Sequence, residues 1–153
     1  RRFHAIRFYG RELVLGKNAE YFLEVPLPPG HIHIDGLYMT LGDNLAICHS
    51  PPLNILPCRL YKAGEAQPRH IMFTEYLAER NIKIIEIDEQ EMLGGHLNLV
   101  VTQQDKKAIG FECAARMSGE MAKLGWDVST FPSDTLFKGN GGAHCMTMPM
   151  YVT

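Results

Sequence analysis

One uninterrupted stretch decides the fold of this chain: residues 96–131, HLNLVVTQQDKKAIGFECAARMSGEMAKLGWDVSTF. Two apolar segments flank a polar turn and are predicted to pair as β-strands. A segment with apolar side chains at helical spacing follows, and it ends at Gly125, a residue that commonly closes a helix. The predicted strands are 96–102, 108–113 and 128–131, and the predicted helix is 114–124. The stretch therefore predicts a β-β-α-β unit.

The preceding sequence repeats the same order. A Pro-rich loop over residues 50–57 separates the second strand from the helix, and Pro68 suits the first turn of that helix. The predicted strands are 31–39, 45–49 and 82–87, the predicted helix is 68–80, and further strands are predicted at 12–15, 21–25 and 143–152. The chain therefore predicts an α/β fold in which two β-β-α-β units share a single domain, residues 1–153.

Composition bounds the class of protein. The 153 residues are 46% hydrophobic and 21% charged, as is usual for a soluble globular domain. A net charge of −2 favours neither nucleic acid nor an anionic membrane as a partner. No apolar stretch approaches the roughly 18 residues of a membrane-spanning helix. Four cysteines without a paired CxxC spacing predict a reducing, cytoplasmic location rather than a disulfide framework.

Two clusters carry the residue types of nucleophilic catalysis. The run Gly141-Gly142-Ala143-His144-Cys145 places a thiol just after glycines, which allow a ligand to approach the backbone closely. The run His31-Ile32-His33-Ile34-Asp35 alternates, so a strand here would put its polar side chains on one face. A thiol combined with a His/Asp face is typical of an enzyme with a cysteine nucleophile.

Three motifs in this order resemble those of the guanidino-group-modifying enzymes: His33-Ile34-Asp35, His96-Leu97-Asn98-Leu99, and residues 141–147, Gly-Gly-Ala-His-Cys-Met-Thr. That superfamily includes amidinotransferases, arginine deiminase and dimethylargininase. The resemblance spans residues 30–149. It implies a pentein fold, an α/β propeller of five β-β-α-β blades, of which this chain holds only the C-terminal part. The Gly-Gly-x-His-Cys-x-Thr form is most similar to the amidinotransferases, and residues 146–149 also resemble the deiminases.

The resemblance implies roles for particular residues. Cys145 would attack the guanidinium carbon as a thiolate, and Asp35 would hold the guanidinium N–H groups. His33 would carry protons to the leaving amine and from the attacking molecule. Further substrate-binding positions are His96, Asn98, Gly141 and Gly142, although His96 and Asn98 could equally form a cross-strand polar pair. His144, next to the nucleophile, is expected either to support the reacting groups from behind or to face the other way.

The mechanism requires no cofactor and no metal. A zinc site could be imagined around residues 31–35 with Cys48 and His49, but the spacing matches no regular zinc motif. Gly139-Asn140-Gly141-Gly142 also lacks the lysine and the helix that would make it a phosphate-binding loop.

Three functions stay open at this point. The first is amidino transfer from arginine or a related guanidino compound. The second is hydrolysis by an enzyme of the deiminase, dihydrolase or dimethylargininase type. The third is a non-catalytic binding protein of the same fold, as in the ribosome anti-association factor.

The expected partners are a small guanidino substrate and further blades. Two units with a closing strand make two or three blades of five, and residues 1–30 contain no clear counterpart of the family's upstream acidic residue. The chain is therefore expected to be completed by missing N-terminal blades or by a second chain, and a homo-oligomer is one form of the latter.

Overall fold

The computed structural model describes residues 11–42, 44–139 and 141–147. Within these ranges, nine β-strands form three separate three-stranded sheets. The strands are β1 (Tyr21–Glu24), β2 (Tyr38–Gly42), β3 (Leu45–Cys48), β4 (Cys58–Lys62), β5 (Arg69–Ile71), β6 (Lys83–Glu86), β7 (Val100–Thr102), β8 (Lys107–Phe111) and β9 (Asp127–Phe131). The α-helices with described bounds are α1 (Phe73–Glu79), α2 (Glu89–Leu93), α3 (Ala115–Lys123) and α4 (Asp134–Lys138). No helix in this part of the chain is long and apolar enough to cross a membrane.

The two predicted β-β-α-β units are confirmed. One sheet has the strand order β2-β3-β6 and another has the order β7-β8-β9. In both, the middle strand runs antiparallel to the first strand and parallel to the third. A parallel return needs a crossover connection, which contains α1 in the first unit and α3 in the second. The described sheets stay separate, so they form part of an α/β architecture and not a closed ring.

The crossover of the first unit contains an insertion that the sequence did not reveal. β4 and β5 pair with each other, and β4 also pairs with β1, which completes the third sheet. The helix predicted over 68–80 is therefore wrong in its first third, because Arg69–Ile71 is a strand and α1 begins at Phe73. On β4, buried Cys58 and Leu60 flank the exposed Arg59, and Ile71 on β5 is also buried.

The segment that carries the His/Asp motif is also not a strand. Ile34–Gly36 forms a single 3-10 turn, and β2 begins only at Tyr38. Ile32 is 85% exposed, whereas a strand buried on one face would have hidden it. The predicted common face of His31, His33 and Asp35 is therefore wrong.

Other predicted boundaries shift because short polar segments form local turns. Residues 11–14 are helical where a strand was predicted. The strand predicted from residue 96 begins at Val100. The last predicted strand, 143–152, contains a 3-10 turn at His144–Met146, and residues 148–153 lie outside the described part. Helix α2 was not predicted, although Asp88 and Glu91 form a reciprocal capping box at its start.

Two groups of buried side chains hold the sheets together. One packs the two β-β-α-β units against each other through residues such as Ile47, Ile85, Leu99, Met117 and Trp126. The other lies beneath α1 and the inserted sheet. Fully buried Leu37 belongs to the second group and anchors the chain directly after the 3-10 turn. Leu97 and Leu99, each 1% exposed, anchor the segment on either side of Asn98.

Candidate active site

Cys145 lies in an exposed turn that a single asparagine side chain organises. Gly142 and Ala143 are buried, and the 3-10 turn His144–Met146 then carries the thiol to the surface. The Asn98 Nδ2 group donates a hydrogen bond to Cys145 Sγ at 3.0 Å. Asn98 Oδ1 accepts from the backbone N–H groups of His144 at 2.8 Å and Cys145 at 3.3 Å. Three hydrogen bonds therefore connect Asn98 to the turn that carries the predicted nucleophile, and two of them involve Cys145 itself.

The glycine pair in front of the cysteine has unequal surroundings. A Cβ atom on Gly142 would lie 2.6 Å from Asn98 Cγ and 2.8 Å from Phe111 Cζ. A Cβ atom on Gly141 would meet Cys145 Cβ at 3.7 Å, an ordinary contact. The close approach that Gly142 permits is thus made by Asn98 and Phe111. Contact of either glycine with a substrate stays a prediction.

Asp35 joins this cluster through His144. Asp35 Oδ2 lies 3.3 Å from His144 Nδ1, and the two side chains are 36% and 43% exposed respectively. The expectation that His144 faces away was based on strand alternation. It is wrong, because neighbouring side chains in a 3-10 turn diverge by about a third of a turn instead of pointing to opposite faces. The adjacent imidazole can therefore reach the carboxylate.

His33 occupies the residue before the 3-10 turn that carries Asp35, and it is exposed. Among the described residues, none of the hydrogen bonds or ion pairs involves its side chain. The structure thus brings Asp35, Asn98, His144 and Cys145 together. His33 is near them only through its position in the chain beside Asp35, and its role as a proton carrier stays a prediction.

His96 belongs to a different cluster, around Glu91. Its Nδ1 atom is 3.9 Å from Glu91 Oε1, and its side chain is 12% exposed. Glu91 is engaged by Arg116, whose Nε donates to Oε1 at 2.6 Å, and this hydrogen bond is the main cause that lowers the pKa of Glu91. Burial lowers the pKa of His96 and outweighs the opposing attraction of Glu91. His96 is therefore neutral near pH 7.

The structure separates His96 from Asn98, which the sequence placed in one substrate-binding motif. Both residues precede β7, so the alternative of a cross-strand pair is wrong. His96 Nδ1 is buried and finds no hydrogen-bond partner in the described residues. Substrate binding by His96 stays a prediction, and no hydrogen bond or ion pair links its side chain to the Cys145 turn in the described part of the chain.

The four thiols differ in their environments. Burial raises the pKa of Cys48 from 9.0 to about 12, with a smaller contribution from the Glu86 carboxylate. Burial also raises the pKa of Cys58. Both thiols stay protonated at neutral pH and are poor nucleophiles. Cys113 and Cys145 are exposed. Of these two, only Cys145 has a side-chain amide donor directed at its sulfur within the described residues.

The cluster has the chemical groups that a reaction at a cationic carbon needs. A thiolate attacks such a carbon, and a nearby carboxylate holds a planar guanidinium by charge-assisted hydrogen bonds. The described residues contain no group of three or more His, Cys, Asp and Glu side chains placed to hold a metal ion. The arrangement therefore joins the exposed Cys145 thiol to the partly exposed Asp35 carboxylate through the adjacent His144, and these groups are chemically capable of nucleophilic attack and of cation binding.

Comparisons with known proteins find a sequence relative and several similar structures. No protein-family model matches the chain. The chain is 26% identical to the arginine deiminase of Mycoplasma capricolum subsp. capricolum, over 84% of this chain and 35% of that protein. The N-terminal domain of ArgZ, an arginine dihydrolase from cyanobacteria, has a similar structure, with a TM-score of 0.55 and 18% identity over 76% of this chain and 37% of that one.

A dimethylarginine dimethylaminohydrolase structure is also similar, with a TM-score of 0.51 and 19% identity over 78% of this chain and 38% of that one. These matches confirm the resemblance to the guanidino-group-modifying superfamily and show that the mixed α/β fold is similar to pentein-fold structures. The chain spans little more than a third of the length of these relatives.

Proposed function

We propose that this chain is the catalytic C-terminal portion of a cysteine-dependent hydrolase of the guanidino-group-modifying superfamily, acting on arginine or a related guanidino compound. The observation that carries the proposal is the meeting of Asp35, Asn98, His144 and Cys145 from three distant parts of the chain. The deiminase, dihydrolase and dimethylaminohydrolase relatives support hydrolysis. We therefore place it before amidino transfer, which the Gly-Gly-x-His-Cys motif alone favours.

In the proposed reaction, the Cys145 thiolate forms a bond to the guanidinium carbon. The C–N bond to the leaving ammonia or amine then breaks, and His33 supplies the proton that the leaving nitrogen needs. Water next attacks the same carbon while His33 takes its proton. The C–S bond breaks, which regenerates the thiolate and releases a ureido product.

Asp35 binds the cationic end of the substrate. A carboxylate can accept two N–H groups of a planar guanidinium at once. In the free chain one of its oxygens faces the His144 imidazole at 3.3 Å. The incoming guanidinium therefore replaces His144 at Asp35, and the carboxylate is partly exposed, as this exchange requires.

Trapping the covalent intermediate tests the proposal. The form of the protein that turns over arginine, completed by the upstream blades, is mixed with arginine, quenched in acid and mapped by peptide mass spectrometry, with Cys113→Ser as the matched control for the other exposed thiol. We expect an adduct on Cys145 in the wild type and in the control, and none in Cys145→Ser. Adducts on Cys113 in equal yield, or none on Cys145 when turnover occurs, would refute the assignment.

The mass of the adduct also distinguishes hydrolysis from amidino transfer. If ammonia leaves first, as in a deiminase, the adduct keeps the whole carbon chain of arginine. If the amino-acid amine leaves first, only the amidino group stays on sulfur, as transfer to an acceptor amine requires. A non-catalytic binding protein would give neither adduct, and labelling of Cys145 by a haloacetamidine would not be slowed by arginine.

A further inference from the structure

We propose that Asn98 is a positioning residue that holds the Cys145 turn and stabilises the cysteine thiolate, instead of contacting substrate. The inference deepens the proposed function and rests on it for its catalytic meaning. Its physical basis is independent of the substrate, because it concerns one amide group, two backbone N–H groups and one sulfur atom.

The hydrogen bonds themselves determine which way the Asn98 amide faces. The backbone N–H groups of His144 and Cys145 can only donate, so the atom that receives both must be the carbonyl oxygen Oδ1. The NH2 group then necessarily points to Cys145 Sγ, at 3.0 Å. The sulfur is therefore the acceptor, and a thiolate accepts more strongly than a thiol because it is charged.

The same bonds leave Asn98 little capacity to bind a guanidinium. A guanidinium group carries only donors, so it would need the acceptor Oδ1. Both lone pairs of Oδ1 already receive backbone N–H groups, at 2.8 and 3.3 Å. Substrate recognition by Asn98 would break the bonds that hold the cysteine turn.

Packing prevents the amide from turning away. Leu97 and Leu99 are buried on either side, and the Asn98 backbone N–H donates to Gly95 O at 2.9 Å. Gly142 lies so close that a methyl group there would overlap Asn98 Cγ, at 2.6 Å. The amide is therefore fixed before any substrate arrives, which is the property that a positioning residue needs.

Two variants separate the functions of the amide. Asn98→Asp keeps an oxygen for the two backbone N–H groups but replaces the donor to sulfur with a negatively charged oxygen. Asn98→Ala removes both functions. Alkylation of Cys145 by iodoacetamide, a neutral reagent that needs no substrate site, reports the thiolate directly. Exposed Cys113, in the same molecule, is the internal control.

We expect Asn98→Asp and Asn98→Ala to slow alkylation of Cys145 at pH 7 by about tenfold or more, since a hydrogen bond to a charged group is lost. The pH profile of alkylation should move to higher pH in Asn98→Asp, and the rate at Cys113 should not change. In the form of the protein that turns over arginine, kcat should fall while KM changes less than about threefold. Unchanged alkylation with a raised KM would overturn the proposal and support substrate contact.

A measurement on unmutated Asn98 keeps the test decisive if the variants fail to fold. The side-chain amide NMR signal of Asn98 should shift as Cys145 ionises or is alkylated, and should not shift with pH in Cys145→Ser. A signal that does not change when Cys145 ionises or is alkylated would overturn the proposal. If these effects appear but no arginine adduct forms, the positioning role stands and the proposed function fails.

Discussion

Replacing Gly142 with alanine tests the packing on which the candidate site depends. The new Cβ would lie 2.6 Å from Asn98 Cγ, 2.8 Å from Asn98 Oδ1 and 2.8 Å from Phe111 Cζ. Carbon atoms in proteins pack at about 3.5–4.0 Å, so the neighbours must move by roughly an ångström. Phe111 is 1% exposed and packs edge-on against Phe131 at a centroid distance of 5.3 Å. Asn98, which is less buried than Phe111, is therefore the group that gives way.

The expected cost follows from overpacking. Inserting a methyl group into a filled site destabilises a protein by about 1–3 kcal/mol. Gly141→Ala is the matched control, because among the described residues its Cβ would meet only Cys145 Cβ, at 3.7 Å. A glycine-to-alanine change without a clash should be neutral or stabilise by about 0.4–1 kcal/mol, through the entropy of the unfolded chain. The two neighbouring substitutions should therefore have opposite or clearly unequal effects.

Urea unfolding monitored by circular dichroism measures both free energies of unfolding, and iodoacetamide alkylation monitors Cys145 in the same samples. Gly142→Ala should lose stability and also slow alkylation, because the displaced Asn98 amide no longer reaches the sulfur. Gly141→Ala should preserve both. Equal stabilities for the two variants, or unchanged alkylation in a destabilised Gly142→Ala, would refute the link between Gly142, Asn98 and Cys145.

Three further predictions concern the chemistry, the pH response and the completeness of the site. In the form that turns over arginine, His33→Ala should mainly lower kcat, by about 10²–10⁴-fold, whereas Asp35→Ala should also raise KM. Equal, mild effects of both substitutions would indicate that the 3-10 turn carrying Asp35 has only a structural role. Burial lowers the pKa of His96 below its ordinary 6.5. As pH falls, this imidazole is therefore protonated in the unfolded chain at a higher pH than in the folded chain. Stability should therefore fall as pH drops through 6.5, and His96→Gln should flatten this slope in urea titrations; an unchanged slope would contradict the pKa shift. The chain alone should self-associate, because the edge strands of the described sheets have no further strand partner within the described residues. It should also show no turnover, because the resemblance implies an acidic residue from an upstream blade, and adding the upstream blades should restore activity; a stable monomer in sedimentation that hydrolyses arginine unaided would contradict this.

Local sequence determined the repeated β-β-α-β units. Gly125, two residues after the end of α3, has a φ of 84°, the left-handed conformation that glycine adopts most easily. The turn at residues 103–106 joins β7 to β8 as predicted. These features depend on side-chain periodicity and on turn chemistry within a few residues, so the sequence was sufficient to reveal them.

The inserted sheet could not be predicted in this way. The pairing of Phe22 with Tyr61 joins residues that are far apart in the chain, and no local pattern specifies it. The prediction of a strand at Ile34–Gly36 was wrong for a related reason. Its alternating residues suit a strand, but no neighbouring strand pairs with it within the described residues, and a 3-10 turn satisfies the backbone locally.

The sequence by itself determined which chemical groups are present: a thiol after two glycines, a His-x-Asp motif, and an asparagine between two leucines. Only the tertiary structure decided their relations. It directs the Asn98 amide at the sulfur of Cys145, a residue 47 positions later in the chain, and it brings the His144 imidazole to 3.3 Å from the Asp35 carboxylate. Residue type and local spacing establish what a side chain can do. Contact at 3 Å depends on how buried residues such as Leu97, Leu99 and Phe111 pack the distant segments together.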